Sequence, residues 1–205
     1  MNAAITSIFG ALPSPYEIAH MLSQVILWIT VYAIGGWVYE TIVCSVQARH
    51  VVKRGFLHGP VCPIYGVGAV GNYLALGWIA NPVALFLVGA VVSTAFEYLV
   101  GWALERLFGK RWWSYDGWLL NIKGRVCLAG ALVFGVFTVL AVDVLQPMII
   151  GMVNMAGARD QLVLGTLVTL GYLVDTATSC LANRQDSSTL GEVRGRIARR
   201  IRRLA

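Results

Sequence analysis

Three acidic residues lie inside apolar stretches of the chain, Glu40, Glu97 and Asp175. An ionisable side chain is costly there and marks a functional hypothesis. Each has a small residue one helical turn before and after it, in Gly36-Glu40-Cys44, Ser93-Glu97-Gly101 and Gly171-Asp175-Ser179. Residues four apart share a helix face, and small residues mark faces where membrane helices approach closely. This spacing turns the carboxyl groups into a helix bundle and away from lipid, with Tyr39, Tyr98 and Tyr172 on flanking faces. Two chemistries fit. The acids are structural, paired with Arg54, Arg106 or Arg125 or hydrogen-bonded in protonated form. Alternatively Glu40, Glu97, Asp175, Tyr39 and Tyr98 line a cavity for a cation, a proton or a basic group, in which three carboxylates cannot all be ionised and unpaired.

A second group is basic and aromatic: Arg54, His58, Arg106, Arg111, Trp112, Trp113, Trp118, Asn121 and Arg125. Tryptophan and arginine anchor helix bundles at the membrane interface. The same set beside the acids also suits a head-group or phosphate site. Other patterns carry less. Gly66-Val-Gly68-Ala-Val-Gly71 spells a dinucleotide fingerprint but lies in an apolar span with no strand before it, so it reads as close helix packing. No Gly-Lys-Ser/Thr phosphate loop occurs, so an ATPase, if there is one, is a separate polypeptide. The four cysteines are far apart and His20, His50 and His58 are scattered, so no metal and no cofactor is expected.

The elements that hold these residues follow from hydropathy. The chain is 58% hydrophobic and 13% charged, with a mean hydropathy of +0.70, against roughly 45–50% and about 25% for a soluble domain. A bilayer can accommodate this excess; a water-soluble fold cannot. Runs long enough to cross about 30 Å of hydrocarbon predict about five transmembrane helices: Leu22–Val46, Cys62–Ile79, Val83–Leu104, Val126–Leu145 and Leu162–Ala182. The second is predicted to be broken or re-entrant, because Pro60, Pro63, Gly66, Gly68 and Gly71 crowd its start. Met148–Ala156 is too short to span and reads as an interfacial stretch. The fold class is thus all-α, a polytopic membrane bundle over residues 22–182, with an external segment 1–21 and a basic tail 183–205.

All but one of the 16 Lys and Arg fall in segments that alternate onto one side; the exception is Arg159. By the positive-inside rule the N-terminus is outside and the C-terminus cytoplasmic. The N-terminal stretch lacks the basic region of a cleaved signal peptide. In the tail, Thr189 and Glu192 form a capping box, followed by apolar residues at helical spacing among six arginines. This is an amphipathic helix for anionic membrane lipid, not an arm for nucleic acid.

The stretches GGWVYE (Gly35–Glu40), KRGFLHGPVCPIYGVGA (Lys53–Ala69), FEYLVGWALERLFGKRWW (Phe96–Trp113) and NIKGRVCL (Asn121–Leu128) follow in order. Together they resemble the small bacterial membrane proteins catalogued as ABC-transporter type IV, or CmpB-like, permeases. The likeness runs from about Trp28 to Pro147, with a weaker echo at Asp175. Its motif positions map onto Trp37, Tyr39, Glu40, Arg54, Gly55, Phe56, Gly59, Pro60, Cys62, Pro63, Tyr65, Gly66, Glu97, Glu105, Trp112, Trp113, Asn121 and Gly124. After the aromatic pair the family reads Trp-Asp-Tyr-Ser, whereas this chain has Trp113-Ser114-Tyr115-Asp116, so a fixed role for that carboxylate does not carry over. The resemblance implies a homologous fold and membrane transport in the bacterial inner membrane, with a separate ATPase subunit or a homo-oligomer as partner. The expectation is a non-enzymatic permease or transport-system subunit with a polar cavity open to the cytoplasm. Its alternatives are a membrane enzyme acting on a lipid or isoprenoid head group, and a membrane scaffold.

Overall fold

A computed structural model describes residues 13–52 and 55–202, with side chains as far as Arg184. It is all-helical: α1 (Pro15–Ala48), α2 (Pro63–Leu76), α3 (Pro82–Phe108), α4 (Leu128–Leu140), a π-helical turn (Ala141–Leu145), α5 (Gln146–Asn154) and α6 (Ala158–Arg202). Four segments are long and apolar enough to cross a membrane: Pro15–Ala48, Pro82–Phe108, Leu128–Asn154 and Ala158–Arg184. Their outward faces carry Val46, Val91, Met148, Leu173 and Val174, all more than half exposed. Contiguous apolar surface of this kind needs lipid around it. The chain is a multi-pass membrane protein.

Local signals set the helix ends. Ser14 and Glu17 form a reciprocal capping box at the start of α1. The Asn81 side chain accepts from Val83 and Ala84 N–H to begin α3, and Gly109, at φ 64°, ends it. α1 packs against α2 and α6, and α3 against α4. Glycines set the closest approaches. Gly36 lies against the Tyr65 ring, Gly66 against the Ile29 carbonyl, and Gly89 against Thr138, where a Cβ would collide.

Two elements differ from the sequence reading. Met148–Ala156 is not a separate interfacial stretch: the helix begun at Leu128 runs on to Asn154. Pro147 would clash with a carbonyl one turn back in a regular helix. The π-helical turn just before it adds a residue to the turn and lets the helix pass. The second difference is α2. It is only 14 residues, about 21 Å by helical rise, and non-helical chain at 55–62 precedes it. Cys62 N–H donates to the carbonyl of Ala33, midway along α1, at 2.9 Å. α2 then lies along the first half of α1, with Trp28 and Tyr73 meeting edge to face. The backbone of α6 continues through position 183 without a break; the side chains of the basic tail lie outside the described residues.

Candidate functional site

The three predicted acids fall into two different environments. Glu97, on α3, is 7% exposed. Its Oε1 accepts from the Tyr115 hydroxyl at 3.0 Å, and its Oε2 is buried with no hydrogen-bond partner among the described residues. Glu40, on α1, is the charged group nearest in effect, and it also acts on Tyr65 and Tyr115. The Cys62 Sγ sits 3.5 Å from Glu40 Oε2. Glu40 and Glu97 therefore lie within electrostatic reach of each other, between α1, α3 and the start of α2. One turn before Glu97, Ser93 accepts from the Asn72 amide at 2.7 Å, and Asn72 also reaches Thr138 at 3.0 Å. A polar seam thus ties α2, α3 and α4 together below the carboxyl.

Asp175 has other partners. Its Oδ1 accepts from His58 N–H at 2.8 Å and from Ser179 Oγ at 3.1 Å, and its Oδ2 accepts from Gly59 N–H at 2.8 Å. His58 Nδ1 is 3.2 Å from Oδ1 and 2.7 Å from Ser179 Oγ. The carboxylate thus caps the free backbone donors of the non-helical segment 55–62, which must be satisfied away from water. The sequence placed Asp175 beside Glu40 and Glu97; the structure gives it to His58 and Gly59. His58, predicted in the basic belt, is its partner.

The segment 109–127 supplies what the acid pair lacks. Tyr115 N–H donates to the Gly124 carbonyl at 2.8 Å, and Ile122 pairs with Val126 in an isolated bridge. Gly124, at φ 68°, has the Asp116 carboxylate packed where a Cβ would stand, a site only glycine fills. Asn121 accepts from Gly124 N–H and donates to the Trp118 carbonyl. Held in this way, Tyr115 reaches into the bundle. Burial, reinforced by the Glu97 charge, pushes its phenol well above the ordinary range, so it stays a hydrogen-bond donor at neutral pH.

The basic-aromatic residues form a separate, internally neutralised cluster. Arg125 Nη2 pairs with Glu105 Oε2 at 2.6 Å, and its guanidinium lies over the Tyr98 ring at 5.3 Å. Arg111 Nε meets Glu105 Oε1 at 3.0 Å, and its Nη1 lies 3.6 Å from Asp116. Trp113 Nε1–H donates to the Arg125 carbonyl, and Trp112 packs with Phe56 and Phe108. Gly101, Leu104, Trp112 and Trp113 close the cleft there to little more than the space of one water. Tyr98 therefore serves the arginine and not the acids, while Tyr39 stacks edge to face on Phe137. Arg106 is exposed, and Arg54 lies outside the described residues. Tyr115 escaped the sequence reading. Flanked by Trp113 and Trp118, it reads as another interfacial aromatic, and only the fold of its segment aims it at Glu97.

Among the described residues, no group of three or more His, Cys, Asp or Glu side chains is placed to hold a metal ion. A family model described as "Putative ABC-transporter type IV" matches residues 27–180. The chain belongs to this family. The match covers Glu40, Glu97, Tyr115 and Asp175 alike. No curated protein and no solved structure matches the chain.

Proposed function

We propose that this ABC-transporter type IV family protein is the membrane subunit of a transport system, with Glu40 and Glu97 forming an internal acid site reached from the cytoplasmic side. The observation that carries this reading is the buried Glu97, whose carboxyl accepts from Tyr115 and lies within electrostatic reach of Glu40. Ionisable groups kept at such depth serve ion, proton or substrate pathways. The arginines favour transport over head-group chemistry, since Glu105 already occupies both Arg111 and Arg125.

In this reading the N-terminus is outside, and the ends of α1, α3 and α6 face the cytoplasm with the basic loops, by the positive-inside rule. Segment 55–62 enters from the cytoplasmic side and α2 completes the passage, giving five crossings of which one is half irregular. Irregular backbone at that depth requires protein cover, and Asp175, Phe108 and Trp112 supply it. Interrupted helices are also where transporters place ion and substrate sites. The protein resides in the bacterial inner membrane, its tail held by anionic lipid, and works with a separate ATPase or as a homo-oligomer.

The test is flux. Purified protein is reconstituted in liposomes containing a pH-sensitive or cation-sensitive dye, and a proton or cation gradient is imposed. Wild type should dissipate a gradient, and Glu97→Gln and Glu40→Gln should each slow that about tenfold or more while remaining folded. Equal flux in wild type and both variants would show that the acids take no part in transport.

A further inference from the structure

Glu97 Oε2 is buried and has no donor to satisfy it among the described residues. A carboxylate in that state leaves half of its charge without compensation, which a protein interior does not tolerate. The carboxyl must therefore be neutralised. With Oε2 buried from water, a proton on the carboxyl is the smallest group that removes its charge. The titratable groups around it come from every element of the site: Glu40 from α1, Cys62 and Tyr65 from the start of α2, Tyr115 from segment 109–127, and Cys127 at the start of α4. Among the described residues none of these groups is basic.

We propose that Glu97 is a proton-carrying site, loaded on Oε1 and exchanging with the cytoplasm through the Tyr115 hydroxyl. Tyr115 is half-buried, its ring beside Trp118 at 6.2 Å and its hydroxyl 3.0 Å from Glu97 Oε1. Its hydroxyl is both a donor and an acceptor. A proton arriving from water adds to the phenol oxygen while the hydrogen already pointing at Glu97 crosses to Oε1, so the phenol is neutral before and after. Release runs the same two transfers in reverse. The proposal deepens the transport reading, because it names a proton as the ion that the acid site handles.

Infrared difference spectroscopy on the full chain in lipid tests the site without reference to transport. The carbonyl stretch of a protonated carboxylic acid should be present at neutral pH and absent in Glu97→Gln. In Tyr115→Phe it should shift, through loss of one hydrogen bond, and exchange with heavy water should slow on the order of a hundredfold. A spectrum from which Glu97→Gln removes no such band anywhere between about pH 5 and 9 overturns the proposal, as does a band removed by Glu40→Gln and kept in Glu97→Gln. Should Glu97→Gln fail to fold, an unshifted band in Tyr115→Phe overturns it equally. The two claims can fail separately. A Glu97 band in a protein that moves nothing across liposomes sinks the transport reading alone, and acid-dependent flux without the band sinks the proton site alone.

Discussion

Glu97 and Asp175 occupy equivalent places in the sequence, each deep in an apolar helix and flanked by small residues one turn away, yet the fold uses them in opposite ways. Asp175 accepts hydrogen bonds from two backbone N–H groups and a serine, and its oxygens hold the non-helical segment 55–62 in position. Glu97 accepts one, from Tyr115, and keeps a bare oxygen. A carboxylate saturated with donors is a strut: its energy lies in geometry that any change disrupts. One with an unsatisfied oxygen holds little of the fold together. The comparison teaches that burial of an acid does not reveal its role; the number of donors around it does.

The comparison breaks first at the strut. Asp175→Ala should cost about 2–3 kcal/mol, because it leaves the His58 and Gly59 N–H groups without an acceptor. The loss should appear in thermal unfolding in detergent, and faster proteolysis confined to segment 55–62 would locate it. An unchanged midpoint would mean that water replaces the carboxylate and that the segment does not depend on it. Next comes the opposite case. Glu97→Gln keeps an oxygen for the Tyr115 hydroxyl, so stability should change by less than about 1 kcal/mol while proton or cation flux falls. If stability falls as far as for Asp175→Ala, the two acids are alike and the distinction fails.

Smaller effects sharpen the contrast. Tyr115→Phe removes the one donor to Glu97 and should cost about 1 kcal/mol, with a larger effect on flux than on unfolding. Arg125→Lys keeps the charge but loses the fork that holds Glu105 and the planar stack on Tyr98, so a loss of about 1 kcal/mol and no change in flux are expected. A flux defect in Arg125→Lys as deep as in Glu97→Gln would join the basic cluster to the acid site.

Much of this molecule was legible in its residues. Hydropathy established a membrane bundle, and the apolar run Val83–Leu104 marked α3, whose caps Asn81 and Gly109 lie a few residues outside it. The family follows from blocks such as Arg54–Gly66. Patterns of this kind are local: an apolar run or a cap has its physical cause within a few residues. The fate of Pro147 was harder to read, because a π-helical turn leaves no composition of its own and the proline alone argues for a break.

Sequence by itself determined that Glu40, Glu97 and Asp175 turn inward, since spacing fixes which face of a helix a residue occupies. Tertiary structure alone decided which inward residues meet. It brought Glu40 to Glu97, sent Asp175 to the backbone of His58 and Gly59, and folded segment 109–127 so that Tyr115 points into the bundle while Arg111 and Arg125 are spent on Glu105. The physical reason is that a helix face is a property of one element, whereas a hydrogen-bond partner depends on how several elements pack. Close glycine contacts such as Gly36 on Tyr65 and Gly66 on Ile29 set that packing, and neither partner announces the other in the chain.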